Sequence, residues 1–355
     1  MNNGDRFSDL RVLRWTDRIN SIVKDKERLG PIRAGLDLTN LCNHACSWCE
    51  PLDYRLATIK ESTHEHRKHT LETSTALAVL QDLGDMDCKT INFSGGGEPL
   101  LHQDFGTILR FAVRQGMRAW IVTNGQFIDK WLNDLGYAHH VRVSLDASTE
   151  AEHMEMHGSK PGEFQRILDN ITLLCADKKN STKPWRPEVG IAYIVANCNE
   201  GIGIHRVLQF AEAAGVDFVQ FRPLSEPAPV KFTGDWDVTS ERITSYAATY
   251  SKVHIYPLGK RGRDVFEQRE FKSCYAALAT SVIGANGDVV ACCDERGKVF
   301  GNVYEQSFRS IWLSARHRSK AAEIVPALCT RCLMCGTNRA IEKYVIENQA
   351  LPELI

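Results

Sequence analysis

Six short apolar segments alternate with longer helical segments along most of the chain, and this alternation strongly limits the possible folds. The segments cover residues 33–39, 89–94, 119–123, 140–145, 189–195 and 218–221. Strands that are joined by helix or loop crossovers form a parallel sheet with helices outside it. Six units are too few for a closed eight-stranded barrel. We therefore predict an α/β fold, an open and partial (β/α)6 TIM-like barrel.

The composition of the 355 residues is that of an ordinary globular protein, with 43% hydrophobic and 25% charged residues. A net charge of −1 gives no support for bulk nucleic acid as a partner. No apolar run approaches the length of a membrane span, and the polar first ten residues contain no signal-peptide core. We expect a cytoplasmic protein without a membrane partner. The sequence does not predict the oligomeric state.

The 12 cysteines need an explanation, because a reducing compartment disfavours a disulfide framework. Nine of them fall in two groups, which indicates metal binding. One group is Cys42, Cys46 and Cys49, and the other is Cys274, Cys292, Cys293, Cys329, Cys332 and Cys335. We interpret the remaining three, Cys88, Cys175 and Cys198, as buried thiols.

The first group has C-x₃-C-x₂-C spacing, so three thiolates on one short loop can face a single metal centre. They are one short of the four ligands that a closed zinc site or a fully capped 4Fe–4S cluster uses. A cluster held by three cysteines leaves one iron open to another ligand. A partial zinc site or a disulfide pair is the alternative.

This spacing, with Trp48 just before the third cysteine, resembles the signature of the radical S-adenosylmethionine (radical SAM) enzymes. The resemblance implies that Cys42, Cys46 and Cys49 hold a 4Fe–4S cluster whose open iron chelates SAM. It further implies that the reduced cluster cleaves SAM to a 5′-deoxyadenosyl radical, which abstracts a hydrogen atom from the substrate. A low-potential electron donor such as flavodoxin or ferredoxin would then be needed.

The resemblance also implies a set of SAM contacts at the carboxyl ends of the strands. The motif Gly96, Gly97, Glu98 and Pro99 resembles the family's Gly-Gly-Glu-Pro motif, which binds the amine of SAM. Further contacts would come from Trp48, Thr123, Asn124, Ser144, Asp146, Asn197 and Phe221. The alternatives are a core tryptophan for Trp48, a plain turn at 123–125 and a helix cap at 144–146.

Two residues are candidates for contact with the substrate. The guanidinium of Arg222 could clamp a carboxylate, a phosphate or a polyol, or it could form a surface ion pair instead. Cys198 could return a hydrogen atom in a redox-neutral epimerisation, and Cys293 is a second candidate for that role.

The second cysteine group surrounds a predicted β-hairpin at 280–292, whose turn is Asn286-Gly287. The hairpin can bring Cys274 and Cys292 together, and a helix at 307–324 can return Cys329 and Cys332 to the same place. The layout resembles the short "twitch" form of the SPASM extension, which implies one auxiliary 4Fe–4S cluster and two clusters in all. Its ligands would be Cys274, Cys292, Cys329 and Cys332, with Cys335 or Cys293 as a substitute. Structural zinc is the alternative.

These patterns predict five regions. An N-terminal helical segment covers 1–30, the radical SAM barrel 31–225 and an irregular linker 226–270. A small cysteine-rich domain, a β-hairpin with a helix, covers 271–340, and a C-terminal tail covers 341–355.

The resemblance predicts hydrogen abstraction from a small polar substrate, such as a sugar, an aminocyclitol or a nucleoside, in a natural-product pathway. Dehydrogenation, dehydration and epimerisation all remain open as outcomes. The alternative is a SPASM-type maturase of a ribosomally made peptide or protein. Such enzymes commonly carry an N-terminal peptide-recognition domain, whereas only 41 residues precede Cys42. The second alternative is a non-catalytic metal-binding scaffold.

Overall fold

A computed structural model describes residues 9–46, 48–49, 69–182, 185–224, 232–257, 269, 271–294, 296–329 and 332–347. Its strands are β1 (Arg33–Leu36), β2 (Thr90–Phe93), β3 (Arg118–Thr123), β4 (His140–Ser144), β5 (Glu188–Val195), β6 (Phe218–Pro223), β7 (His254–Pro257), β8 (Thr280–Ile283), β9 (Asp288–Val290) and β10 (Val299–Asn302).

The α-helices are α1 (Thr16–Val23), α2 (Thr73–Asp85), α3 (Phe105–Arg114), α4 (Leu132–Leu135), α5 (Glu150–His157), α6 (Glu163–Asn180), α7 (Ile202–Ala214), α8 (Trp236–Ser245), α9 (Ala276–Ala279), α10 (Phe308–Trp312), α11 (Ala315–Ala322) and α12 (Cys335–Ile341). Short 3₁₀ segments lie at Asp9–Trp15, Pro99–Leu101, Asp129–Trp131, Tyr246–Ala248 and Pro326–Leu328, and a π-helical turn at Glu342–Ile346. The N-terminal helix expected over 5–28 is thus a 3₁₀ segment followed by α1. No helix in the described ranges combines the length and apolarity that crossing a bilayer requires.

All ten strands form one sheet in the order β10-β9-β8-β1-β2-β3-β4-β5-β6-β7. Strands β8 and β1 to β7 run parallel to one another, while β9 is antiparallel to both of its neighbours, β8 and β10. Among the described residues no pairing joins the two edge strands, so the sheet is open. The predicted α/β fold with an open parallel sheet is therefore confirmed, and all six predicted strands are present.

The hairpin of the cysteine-rich domain continues the barrel sheet instead of standing apart from it. Strand β8 pairs with β1 in parallel, and Ala34 lies between Ile91 of β2 and Ser281 of β8. This pairing joins segments that are far apart in sequence, and local patterns do not reveal it. The cysteine-rich domain therefore has a fixed position beside the strand that leads into the first cysteine loop.

The segment predicted as an irregular linker contains regular structure, which corrects that expectation. Helix α8 buries Trp236, Thr239 and Ile243, which share one helix face, and β7 adds a seventh parallel strand beside β6. Asp235 caps α8 by accepting hydrogen bonds from the two backbone N–H groups of Asp237 and Val238. The prolines and glycines of this region suggested irregular chain, but Gly234 lies just before α8 and Pro257 is the last residue of β7.

The N-terminal segment packs against the C-terminal end of the chain. Ile19 and Ile32 lie in one apolar cluster with Tyr275, Ile341 and Val345, separate from the large core between the sheet and its helices. The helical segment near the N-terminus therefore contributes to the stability of the cysteine-rich domain.

Candidate metal and SAM site

The first cysteine loop lies beyond the carboxyl end of β1, against the glycine-rich turn that follows β2. The backbone N–H of Glu98 donates a 2.8 Å hydrogen bond to the carbonyl oxygen of Leu41. Gly96 has a φ of 76°, and a Cβ atom there would lie 2.8 Å from the carbonyl oxygen of Thr39. A Cβ atom on Gly97 would overlap the Leu41 carbonyl. The glycines therefore let two backbone segments approach closely at this site.

The carboxylate of Glu98 is buried and joins the ends of two strands. It accepts hydrogen bonds from the Thr123 hydroxyl at 2.6 Å, the Asn124 backbone N–H at 2.7 Å and the Leu100 backbone N–H at 3.1 Å. Burial raises the pKa of Glu98 to about 7, although these three hydrogen bonds favour the charged form. The hydrogen bonds of Glu98 thus hold the turn in place. Backbone groups of the Gly-Gly-Glu-Pro motif are then available to bind a ligand.

Asn124 connects this arrangement to the cysteine loop. Its side-chain amide donates a 2.8 Å hydrogen bond to Oδ1 of Asn43. Gly125 follows with a φ of 86°, and its N–H donates to the Thr123 hydroxyl. Thr123 and Asn124, predicted as SAM contacts, are both buried and hold the loop in place, and direct contact with SAM stays a prediction for them.

The three cysteines of the loop lie close enough to influence one another electrostatically. The backbone N–H of Cys49 donates to the carbonyl oxygen of Cys46 at 3.1 Å. Desolvation of the Cys42 sulfur, together with the nearby Glu98, Cys46 and Cys49, raises the pKa of that thiol to about 12. Thiolates held together in this way need a cationic centre to be stable, so the donor set fits an iron–sulfur cluster with three protein ligands.

Helix α5, which the sequence patterns did not predict, holds the loop from the other side. The backbone N–H of Ala45 donates a 2.9 Å hydrogen bond to the carbonyl oxygen of His157, the last residue of α5. Nδ1 of His157 lies 3.1 Å from Sγ of Cys46, and its Nε2 lies 3.3 Å from Oδ2 of Asp146. Burial alone lowers the pKa of His157, but Cys46 and Asp146 outweigh it and raise the pKa to about 10.

Two more histidines surround His157. The ring of His153 stacks on it at 4.5 Å, and the ring of His44, from the cysteine loop, meets both at 5.4 Å. Burial, together with the neighbouring histidines, lowers the pKa of His44 and of His153 to about 3. Donor atoms of His44, Cys46 and His157 lie within 4.8 Å of one another, a spacing that could hold a metal ion.

A local signal for α5 is present in the sequence and was missed. The hydroxyl of Thr149 accepts a hydrogen bond from the Glu152 N–H, and the Glu152 carboxylate accepts one from the Ser148 N–H. The Thr-x-x-Glu pattern is a helix-start signature. Gly158 ends the helix with a φ of 59°. These signals predict the helix, but they do not predict that its histidines reach the cysteine loop.

The residues expected at the end of the fourth strand have different surroundings. Ser144 is half-buried at the end of β4, and Asp146 is fully buried with a φ of 49°. Oδ1 of Asp146 accepts a 2.7 Å hydrogen bond from the backbone N–H of Ile194, and its Oδ2 faces His157. Both carboxylate oxygens of Asp146 are therefore engaged within the protein, and a SAM contact is a prediction that better suits Ser144.

An apolar cluster beside the loop includes two of the remaining candidates, Trp48 and Cys198. Trp48 and Cys198 pack against buried Met156, Ile194 and Leu224, and Sγ of Cys198 lies 3.6 Å from Sδ of Met156. The Trp48 ring meets the His157 ring at 5.5 Å. This cluster offers an apolar surface next to the cysteines, as an adenine ring would require.

The last three candidates are spread over this end of the sheet. Asn197 is exposed, and its side chain accepts a hydrogen bond from the Thr233 N–H. Phe221 is fully buried against Tyr193, which leaves only its backbone for an adenine contact. Arg222 is exposed at the end of β6. Roles for these three residues stay predictions.

In the second cysteine group, Cys274, Cys332 and Cys335 interact most clearly. Burial, together with the nearby Cys335 and Cys274, raises the pKa of Cys332 to about 12. Cys335 is buried at the start of α12, Cys292 and Cys329 are half-buried, and Cys293 is exposed. This neighbourhood favours Cys335 as a ligand beside Cys274 and Cys332. All twelve cysteines are described, and none of them forms a disulfide with another.

An ion pair connects the second group to the first strand. A guanidinium nitrogen of Arg296 lies 2.8 Å from Oδ2 of Asp37, which is buried just after β1, and the side chain of Arg296 also donates to the carbonyl oxygen of Cys293. The backbone N–H of Asp37 donates to the carbonyl oxygen of Ile283 in β8. The pairing of β1 with β8 and the Asp37–Arg296 ion pair thus connect the two cysteine-bearing regions.

Family models match both regions. The model of the radical SAM superfamily matches residues 36–182, and the model of the SPASM iron–sulfur cluster-binding domain matches residues 274–336. These matches confirm the resemblances to radical SAM enzymes and to the SPASM extension, and with them the expectation of an enzyme that uses SAM and 4Fe–4S clusters. The short twitch form, with one auxiliary cluster, stays a prediction. The matches do not test individual site residues.

Three proteins with different names show what this chain is similar to. Fe-coproporphyrin III synthase of Methanosarcina barkeri is 35% identical over 139 residues, which is 38% of this chain and only 32% of that protein. Mycofactocin maturase MftC of Mycobacterium ulcerans is 26% identical over 321 residues, 86% of this chain and 80% of that protein. Streptococcus suis SuiB, crystallised with its precursor peptide SuiA, has a TM-score of 0.64 at 16% identity, covering 99% of this chain and 82% of that one.

Proposed function

Because this chain belongs to the radical SAM superfamily and carries a SPASM-type iron–sulfur domain, we propose that it is a maturase of a ribosomally made peptide or protein. The observation that carries this proposal is the alignment with MftC, which extends over 86% of the chain. It favours the alternative of the sequence analysis over the small polar substrate that was predicted first. The short segment before Cys42 counted against a maturase, but MftC aligns with this chain over most of its length.

Bound cluster and SAM would together supply a 5′-deoxyadenosyl radical that removes a hydrogen atom from the substrate. We assign the cluster to Cys42, Cys46 and Cys49, and the amine of SAM to the backbone of Gly96 and Gly97. Glu98 and Asn124 keep the two segments in register through their hydrogen bonds to the turn and to Asn43. Trp48 and its apolar neighbours shield the site from water.

The proposal gives the C-terminal cysteines a role in the same reaction. Strand β8 pairs with β1, and the Asp37–Arg296 ion pair joins the regions, so an auxiliary cluster at Cys274, Cys332 and Cys335 would have a fixed position relative to the first. A fixed distance suits transfer of an electron out of an oxidised substrate radical. We further propose a cytoplasmic setting with flavodoxin or ferredoxin as reductant, in keeping with cysteines that form no disulfide with one another.

The proposal is tested with anaerobically reconstituted protein, SAM and dithionite. Peptides encoded by short reading frames beside the gene are produced in deuterated medium and added one at a time. We expect one peptide to gain a mass change and to transfer deuterium to 5′-deoxyadenosine. Replacement of Cys49 by alanine should abolish both signals, whereas Cys88→Ala, at a buried thiol far from the loop in sequence, should keep them. Deuterium transfer from no peptide would contradict a maturase.

A small-molecule substrate is the second candidate. It is favoured by the 35% identity to Fe-coproporphyrin III synthase, a relative whose named product is a small molecule. In the same assay, deuterated nucleosides, sugars, aminocyclitols and coproporphyrin replace the peptides. Deuterium transfer from one of these, with none from peptides, would assign this second function.

A further inference from the structure

We propose that His157 donates a hydrogen bond to the Cys46 sulfur when that sulfur ligates the cluster, and that this bond raises the reduction potential of the cluster. The inference rests on the proposed assignment of Cys46 as a cluster ligand. His157 would be a positioning residue, because it acts through Cys46 and not on SAM or the substrate.

The geometry fixes the imidazole between two acceptors. Nδ1 of His157 lies 3.1 Å from Sγ of Cys46, and Nε2 lies 3.3 Å from Oδ2 of Asp146. A ligating thiolate can only accept a hydrogen bond, so the Nδ1–Cys46 contact must be a hydrogen bond that an Nδ1–H donates. The proton on Nδ1 is therefore directed at the sulfur.

The surrounding structure leaves the ring little freedom. His157 is 2% exposed, its carbonyl oxygen accepts the Ala45 N–H, and its ring stacks on His153. Asp146 is held in turn by the Ile194 N–H. A carboxylate that orients the far side of an imidazole is a common way to fix a residue next to a metal ligand.

The direction of the effect follows from charge. Reduction transfers one electron from the external donor to the cluster, and no covalent bond forms or breaks. The reduced cluster carries one more negative charge, so a donor on a ligand sulfur stabilises the reduced form more than the oxidised one. Burial strengthens this electrostatic interaction because water does not screen it. Loss of the hydrogen bond should therefore lower the potential.

The test is a redox titration of the full-length reconstituted protein, followed by EPR with and without SAM. The signal that changes when SAM is added belongs to the cluster at Cys42, Cys46 and Cys49, which separates it from an auxiliary cluster. In His157→Leu we expect the equilibrium constant for reduction to fall about tenfold, which is about 59 mV for one electron. His157→Asn places an amide N–H near the position of Nδ1 and should recover most of the loss.

His140→Leu is the control, because His140 is also a buried histidine, and it lies beside Glu188 at the start of β4, whereas the cysteine site lies beyond the carboxyl ends of the strands. It should leave the potential unchanged. Asp146→Asn keeps the bond to Ile194 but removes the negative charge beside His157, and should shift the potential less than His157→Leu. Equal potentials in wild type and His157→Leu, at equal iron content, would overturn the inference.

A second measurement needs no substitution and covers the case in which a variant does not fold. Wild-type protein labelled with ¹⁵N-histidine is reduced without SAM, and pulsed EPR is used to detect nitrogen coupled to the cluster. We expect a ¹⁵N coupling, and its absence would overturn the inference. If wild-type protein binds no cluster at this loop at all, the proposed function fails first, which is a different result.

Discussion

The backbone N–H of Glu98 donates a 2.8 Å hydrogen bond to the carbonyl oxygen of Leu41, the residue immediately before Cys42. This bond makes the glycine-rich turn part of the cysteine site. A Cβ atom on Gly97 would overlap the same carbonyl oxygen. The position of Cys42 therefore depends on Gly97, in the turn that follows β2, because only a residue without a side chain fits there.

Replacing Gly97 by alanine should displace the cysteine loop. The overlap is with backbone, which cannot rotate away, so we expect a loss of about 1–3 kcal/mol in stability and a clear fall in iron bound at the loop. The measurement is iron per chain after anaerobic reconstitution, together with urea unfolding. Gly116→Ala is the control, because its φ is 81° but nothing lies within 4 Å of an added Cβ. It should lose stability and keep its iron. Full iron in Gly97→Ala would contradict the account.

Replacing Thr123 by valine removes one donor to the buried Glu98 carboxylate and preserves shape. We expect a cost of about 1–3 kcal/mol, measured by urea unfolding of the metal-free protein. The exposed Thr107 is the control, since Thr107→Val should change stability by less than about 0.5 kcal/mol. Equal losses of stability in Thr123→Val and Thr107→Val would show that the hydrogen bond from Thr123 to Glu98 does not stabilise the fold.

The same variant has a defined pH dependence. Burial raises the pKa of Glu98 from 4.5 to about 7, so the folded state binds its proton more tightly than the unfolded state does. Stability from this group is therefore full below pH 4.5 and is lost as pH rises through about 7. Thr123→Val should raise the pKa further, so the stability gap to wild type should widen above pH 7. If the stability difference between wild type and Thr123→Val narrows as pH rises, the assignment of a raised pKa to Glu98 is contradicted.

Breaking the Asp37–Arg296 ion pair should loosen the second cysteine region. Asp37 is buried, so Arg296→Met leaves an uncompensated charge and should cost about 3–5 kcal/mol. Asp37→Asn in the Arg296→Met background should recover part of the loss in a double-mutant cycle. The exposed Arg166–Asp129 pair, also at hydrogen-bond distance, is the control, and Arg166→Met should cost less than about 1 kcal/mol. Additive effects at positions 37 and 296 would contradict a direct interaction.

The buried histidines should make the protein sensitive to acid. His44 and His153 have pKa values lowered from 6.5 to about 3 by burial, so they stay neutral in the fold while the unfolded chain takes up protons. Stability should therefore fall as pH decreases below 6.5. His153→Phe should reduce that fall in thermal unfolding of the metal-free protein, and His254→Phe, in β7, should not. An unchanged acid slope in His153→Phe would argue against buried neutral histidines.

The sequence predicted those parts of the molecule that depend on local pattern. All six strands of the barrel, the cysteine loop and the glycine-rich turn are where periodicity and motif placed them, because short-range sterics and burial determine them. The pairing of β8 with β1 and the approach of His157 to Cys46 join distant segments. Nothing local distinguishes His157 from an ordinary histidine at a helix end.

One expectation was wrong, and the sequence did not predict the surroundings of one candidate site residue. The region 226–270 looked irregular because its prolines and glycines drew attention away from the buried face of α8 and from β7. A SAM contact at Asp146 stays a prediction, but the sequence did not predict that its carboxylate also lies beside the Ile194 N–H and His157. These contacts join distant segments, which local patterns do not reveal.

The most direct test of the central claim is the metal content of a Cys42→Ala, Cys46→Ala and Cys49→Ala triple variant after anaerobic reconstitution. The account predicts about eight irons per chain in wild type and about four in the variant, with matching sulfide and no zinc. That result would place one cluster at the loop and one at the C-terminal cysteines. Loss of all iron, or one zinc in place of the remaining four irons, would contradict a two-cluster enzyme.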